Sequence, residues 1–316
     1  MLVLASGGVV GYLHRTGCAD QGPYVTVWCR MGQVYRVNPD RITVQPADRW
    51  DSDTRGSTSC LSVRMPRLRP GCRVVALGSC FAQHLIDVLC KVGVTVNDHG
   101  SLFYYADEIV NTFTLSEHFQ WALCEDDSRP NFLFDGASRY CSHIQDAASA
   151  RAGVHDTLLA ADCVVLTLGL SEVWRRRDTG RVAWHRPDDT SEHVFSVATV
   201  QENTDNLRDV VRLIRAHCQP ECAVVLTVSP VPLNATFRDM PVQVADTFSK
   251  ARLLAAVDGL LTELADPNVF YWPAYDYVTR QEDAWEPDGR HPKMPVIRQV
   301  MDEFIRLTGV TMSGVA

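Results

Sequence analysis

The stretch Val74-Val-Ala-Leu-Gly-Ser-Cys-Phe-Ala-Gln-His-Leu85 decides how this chain is read. Four apolar residues, two of them β-branched, run into Gly78-Ser79, and the residues that follow have helical spacing. A buried strand that turns into a helix here leaves a serine hydroxyl beside the helix's first unpaired amides. Such amides suit an oxyanion forming at a serine nucleophile, and the same position is favoured for a serine that only caps the helix. The stretch by itself leaves both readings open.

Outward from it, short two-sidedly apolar runs alternate with longer helical patterns. Val74 to Leu77, Val94 to Val96, Cys163 to Leu168, Ala223 to Val228 and Val269 to Trp272 suit the middle of a parallel sheet covered on both faces. Helices are expected over Cys80 to Val92, about Ala106 to Cys124, Ala147 to Ala160, Val200 to Cys218, Thr247 to Leu264 and Pro295 to Leu307. In the fifth, Phe248, Leu253, Leu254, Val257, Leu260 and Leu261 mark one apolar face. The succession implies a doubly wound α/β domain, in which ligands bind outside the carboxyl ends of the strands, where Ser79 stands.

Before residue 50 the character differs. Gly8-Val-Val-Gly-Tyr-Leu13, Tyr24-Val-Thr-Val-Trp28, Gln33-Val-Tyr-Arg-Val37 and Arg41-Ile-Thr-Val44 are β-prone runs, expected to close into a small SH3-like barrel over residues 1–47. Residues 48–65, polar and rich in Asp, Ser, Thr and Arg, read as a linker, and residues 66–316 as the α/β domain.

Composition bounds the function. A chain of 316 residues, 46% hydrophobic, is long enough for one large core plus a small module. No apolar run approaches the roughly 20 residues of a membrane-spanning helix. The apolar start has no preceding basic residue, so a signal peptide is not expected. A net charge of -8 argues against nucleic acid as a partner. Arg175-Arg-Arg177 is read as a solvated loop before an anion site. Eleven scattered cysteines, Cys163, Cys222 and Cys90 among them, lie mostly in apolar runs without paired metal spacing. Reduced, buried thiols and a cytoplasmic location are expected, with no metal and no cofactor.

Glu286-Pro-Asp-Gly-Arg-His-Pro292 adds the second element of chemistry. Asp288 and His291, three apart in a loop bounded by Pro and Gly, are close enough for the carboxylate to orient the imidazole. The other ring nitrogen can then take a proton from a serine and return it to a leaving group. A surface turn with a satisfied histidine is the bland alternative.

Together these stretches resemble the GSCFA-domain family of the SGNH or GDSL-like hydrolases. Beside Gly78-Ser-Cys-Phe-Ala82 the likeness rests on Leu166-Thr-Leu-Gly-Leu-Ser-Glu-Val-Trp174, Leu226-Thr-Val-Ser-Pro-Val-Pro232, Ser249-Lys250, Pro273-Ala-Tyr-Asp276 and the Asp288 to Pro292 stretch, in family order. The resemblance implies a flavodoxin-like three-layer fold, with Ser79 as nucleophile, His291 as base and Asp288 as its orienting acid. It further implies an oxyanion hole using the amides of Ser79 and Gly100. Ser171 and Glu172 stand where the wider superfamily has an asparagine, and they are expected with Trp174, His185 and His143 on the substrate side. The activity implied is acyl transfer from an ester or thioester of a small molecule or glycan, ending in water or in an acceptor. Oligomeric state is left open, with a homo-oligomer allowed. The competing classes are a binding or scaffold protein on the same fold and, more weakly, a metal-dependent phosphoesterase.

Overall fold

A computed structural model describes residues 3–6, 9–14, 25–28, 34–37, 63–96, 110–124, 146–183, 187 and 190–310. The chain divides into two units, Met1–Thr54 and Arg55–Ala316. In the first, β1 (Val3–Ser6), β2 (Val9–His14), β3 (Val25–Trp28) and β4 (Val34–Val37) form an antiparallel sheet in chain order. The apolar start is thus partly a strand, paired with β2 from Val3↔Tyr12 to Ser6↔Val9. The strand expected at Arg41 to Val44 lies outside the described residues.

The second unit begins with β5 (Arg73–Gly78), α1 (Phe81–Lys91), β6 (Thr95–Val96), α2 (Thr112–Leu123), α3 (Ala147–Leu159) and β7 (Cys163–Leu168). β8 (Glu172–Arg176), β9 (Val182–Ala183) and β10 (His193–Val197) follow, then α4 (Val200–His217), β11 (Ala223–Val228), α5 (Val242–Leu264), β12 (Val269–Tyr271), α6 (Ala274–Thr279) and α7 (Met294–Thr308). Five strands form one parallel sheet in the order β12-β11-β7-β5-β6. In sheet-strand numbering this is 2-1-3-4-5, the flavodoxin-type doubly wound order.

Alternation along each strand sends side chains to two cores. Val75, Leu77, Val164, Leu166, Val224 and Leu226 join residues of α2, α3, α4 and α5 on one face. Val74, Ala76, Cys163, Val165 and Val225 join α1, α6 and α7 on the other. Both faces are dry, which is why these strands read as continuous apolar runs.

Several features depart from the sequence reading, among them α6, which was not expected, and the start of α5 at Val242 in place of Thr247. The expected start of the second helix at Ala106 lies outside the described residues, and α2 begins at Thr112. Asn111 is its cap, accepting from the amides of Phe113 and Thr114 at 3.0 Å. An asparagine that binds its own backbone in this way sets a boundary that periodicity does not reveal. On α5 the buried face runs through Ala245, Ser249, Lys250, Leu253, Ala256, Val257 and Leu260, while Phe248 is 47% exposed. A serine and a lysine therefore occupy the inner positions to which Phe248 was assigned. The strands β10-β8-β9 also make an antiparallel sheet that the pattern did not announce. On it the arginine run is consumed locally: Arg175 binds Ser196 and Glu202 and lies over Phe113, Arg176 binds Asp178, and Arg177 donates to Ser191 O.

All seven described cysteines are free thiols. Cys72, Cys163 and Cys222 are buried as expected, whereas Cys90 is exposed because it lies on the outer side of α1. Among the described residues no helix is long and apolar enough to cross a membrane.

Candidate active site

β5 and β7 are neighbours at the point where the strand order reverses, and in sheets of this kind ligands bind outside the carboxyl ends of the strands at that point. Gly78 closes β5 with φ +119°, and its bare α-carbon lies against β7: a Cβ there would meet Thr167 O at 2.1 Å. This close approach presses Ser79 onto β7. The Ser79 hydroxyl donates to Thr167 Oγ1 at 3.1 Å, and its amide donates to Thr167 O at 2.8 Å. Ser79 is 4% exposed.

The Ser79 N–H, expected as an oxyanion donor, prolongs the parallel ladder by its bond to Thr167 O. The amides of Ala82 and Gln83 likewise turn back onto Ser79 O and Cys80 O. What α1 offers near Ser79 is the positive end of its dipole, two residues away.

The loop before α7 holds the acid and base. Glu286 N donates to His291 O at 2.8 Å and Trp285 pairs with Pro292, so the loop folds back on itself as a short hairpin. At its tip Asp288 Oδ1 accepts from the amides of Arg290 (2.9 Å) and His291 (3.0 Å), and Oδ2 lies 2.5 Å from His291 Nδ1. Those bonds, led by the two from His291, hold the Asp288 carboxyl well below the usual carboxylate range. A carboxylate accepts at Nδ1–H, which leaves Nε2 as the ring's basic nitrogen. Nε2 is 3.4 Å from Arg290 Nη1, and the two side chains are half exposed, His291 at 54% and Asp288 at 49%. No hydrogen bond joins His291 to Ser79 among the described residues.

Ser171 and Glu172 fall just past β7. Ser171 is fully buried: its amide donates to Ser249 Oγ at 2.8 Å and its hydroxyl to Ser249 O at 3.1 Å. Expected on the substrate side, it has no exposed area and ties the loop to α5. Glu172 opens β8, and both of its oxygens accept from Thr236 Oγ1 at 3.0 Å. Partial burial pushes its carboxyl up, opposed by the Thr236 bond and by Arg238 and Arg252 nearby. Trp174 packs edge-on against Phe237 (4.9 Å) and Phe195 (5.6 Å), forming an aromatic corner beside Glu172. Gly100, His143 and His185 lie outside the described residues.

One residue of this region had no role assigned in the sequence. Lys250 is 1% exposed, and its Nζ donates to Gly169 O at 2.6 Å and Val231 O at 2.9 Å, bridging the loops after β7 and β11. Burial pulls its pKa down to about 8. The signal available was a Ser-Lys pair interrupting an apolar helix face.

The fold and these groups define a doubly wound α/β protein with a serine at the switch point of its sheet and a bonded Asp-His pair at the end of the chain. The chain belongs to the GSCFA family, which it matches over residues 73–304. No curated protein matches it. Solved structures similar to it include an acetyl esterase mutant with acetate ion, at 14% identity, 75% of this chain, 98% of that one and a TM-score of 0.40. An acetyl xylan esterase from the rumen bacterium Butyrivibrio proteoclasticus aligns at 9% identity over 78% and 66% of the two chains, with a TM-score of 0.33. A carbohydrate esterase family 2 enzyme with a carbohydrate binding domain, from Corynascus thermopiles (Myceliophthora fergusii), aligns at 20% identity with a TM-score of 0.29. That alignment covers 48% of this chain and spans 37% of the length of the other.

Proposed function

We propose that this chain is a serine-dependent acyl-transfer enzyme of SGNH type, an esterase or acyltransferase working through an acyl-Ser79 intermediate. The observation that carries the reading is the Asp288-His291 pair, whose 2.5 Å contact at Nδ1 makes Nε2 the proton acceptor. Its position at the switch point of the sheet, with the hydroxyl resting on Thr167 Oγ1, supports Ser79 as the nucleophile.

In the reaction the hydroxyl leaves Thr167 and gives its proton to His291 Nε2 as Oγ bonds to the acyl carbon. The charge moves to the carbonyl oxygen near the amino end of α1. Collapse breaks the bond to the leaving oxygen or sulfur, which takes the proton back from His291 and departs. A water, or an acceptor hydroxyl or amine, then attacks acyl-Ser79 while His291 takes its proton, and Ser79 leaves reprotonated. Hydrogen bonds to catalytic groups often tighten only once substrate is bound, so the unjoined serine and histidine are compatible with this course. Acyl esters or thioesters of small molecules or glycans are the proposed substrates, with Trp174 and Glu172 at the mouth. Free thiols support a cytoplasmic setting, and closure of the β1 to β4 sheet into an SH3-like barrel, with a domain boundary in residues 48–65, belongs to the same proposal.

A non-catalytic scaffold is the second reading, favoured by the engagement of both Ser79 donors with Thr167. The two are separated by fluorophosphonate labelling followed by mass mapping, with 4-nitrophenyl acetate turnover measured alongside. Labelling at Ser79, lost together with turnover in a folded Ser79→Ala variant, is expected. Turnover that survives Ser79→Ala ends the proposal.

A further inference from the structure

The loop after β11, Ser229-Pro-Val-Pro232, is stiff for a local reason. Each proline locks its own φ and removes an N–H, and each confines the preceding residue to extended backbone. The carbonyls of Val231 and Pro232 lie beyond the end of β11 at Val228 and so have no ladder partners. Both are taken by cations. Lys250 Nζ donates to Val231 O at 2.9 Å, and Arg290 Nε donates to Pro232 O at 3.1 Å.

The two cations come from opposite parts of the site. Lys250 also holds Gly169 O at 2.6 Å, and Gly169 lies beside Ser79: a Cβ on it would be in ordinary contact with Ser79 Cβ at 3.6 Å and tighter against Val110, whose carbonyl oxygen would stand 3.0 Å away. Arg290 directly precedes His291 and sits at the tip of the hairpin whose acid is Asp288. A continuous path therefore runs from Ser79 through Gly169, Lys250, the proline strut and Arg290 to His291. It touches five separate stretches of chain.

We propose that Lys250 and Arg290 are positioning residues that clamp the Val231-Pro232 carbonyls from two sides and so set the distance between Ser79 and the His291 loop. The inference rests on the acyl-transfer reading and adds to it the device that registers the two halves of the site. Lys250 reaches neither Ser79 nor His291 by a hydrogen bond, so its effect on chemistry has to pass through the strut. Displacement of catalytic groups by about 1 Å can lower turnover roughly 100-fold.

The test uses the full chain with Lys250→Met, Lys250→Arg, Arg290→Gln and the double variant Lys250→Met/Arg290→Gln. Turnover of 4-nitrophenyl acetate is read well below each variant's melting temperature, and amide exchange is followed at residues 229–233 and 284–293. The clamp predicts that Lys250→Met lowers kcat roughly 10- to 100-fold with little change in KM, and speeds exchange in residues 284–293, to which Lys250 makes no hydrogen bond. Lys250→Arg recovers part of both, and the double variant is less impaired than the product of the singles, because one unit is broken twice. Wild-type exchange at 284–293 in Lys250→Met, or losses that simply multiply in the double variant, overturns it. Should Lys250→Met fail to fold, Arg290→Gln carries the test: faster exchange at 229–233 with reduced kcat supports the clamp, and wild-type values for both refute it. A wild-type chain that neither turns over nor labels would sink the acyl-transfer reading alone, and the exchange result would then decide the clamp by itself.

Discussion

Replacing Gly78 by alanine tests the packing that brings the serine onto the sheet. Two terms add. An alanine at φ +119° is strained, by about 2 kcal/mol. Its Cβ would also stand 2.1 Å from Thr167 O, 2.8 Å from Thr167 Oγ1 and 2.9 Å from Thr167 C, and a neighbour that is the backbone of a central strand cannot step aside. Overpacking of this kind costs about 2 kcal/mol more, giving a loss of about 4 kcal/mol. Gly93 is the control, since its φ of +79° carries strain of about 1–2 kcal/mol but a Cβ there meets nothing within 4 Å. Urea unfolding followed by fluorescence should therefore show Gly78→Ala far below Gly93→Ala. In thermal melts the larger loss amounts to roughly 10 °C for a unit of this size. Fluorophosphonate labelling should slow in the first variant and not in the second, because only the first pushes Ser79 off Thr167. Equal losses in the two variants would refute the argument, by showing that backbone conformation alone, and not the approach to β7, requires glycine at residue 78.

Ser249→Ala should destabilise the chain by about 1–3 kcal/mol in urea unfolding, because it strips the buried Ser171 amide of its acceptor; a loss below about 0.5 kcal/mol would contradict that bond. Glu172→Gln keeps an acceptor for Thr236 and removes a carboxyl whose pKa burial raises. A carboxyl raised on folding subtracts stability once pH climbs past its unfolded value, so the variant should gain on wild type above about pH 5 and match it at pH 3; a constant offset across that range would show the burial effect to be absent. If Glu172 contacts substrate, KM for a polyhydroxylated acetyl ester should rise in the same variant. Lys250 is held near pKa 8 by burial, with Cys80 before α1, Asp246 on its own helix and Arg290 from the His291 loop facing it. Its unfolded form keeps a proton that the folded form loses, so between about pH 8 and 10.5 it contributes a rise in stability with pH. The difference between wild type and Lys250→Met should grow across that window in wild type's favour, and a flat difference would place the ammonium in a better solvated setting.

Residues whose fate depends on their own neighbours in the chain were legible in the sequence. The strands Cys163–Leu168 and Ala223–Val228 lie where their unbroken apolar runs put them, since a strand buried on both faces has no polar position to blur its ends. Gly78-Ser79 marked the turn from β5 into α1, and the three-residue spacing of Asp288 and His291 is short enough for the pair to meet within one loop. Tertiary structure decided the polar interior. Ser249 and Lys250 bind partners 78, 81 and 19 positions away, and the Ser79 amide is spent on Thr167, 88 positions along. A buried donor is admitted wherever some acceptor happens to arrive, and nothing in the periodicity of one helix records where another strand will end. For the same reason Phe248, apolar and in phase with α5's inner face, was assigned to the core while a lysine held the place. Hydrophobic burial is proportional to a residue's own surface and so is written locally, whereas hydrogen bonding requires two groups in register and exists only once the chain has brought them together.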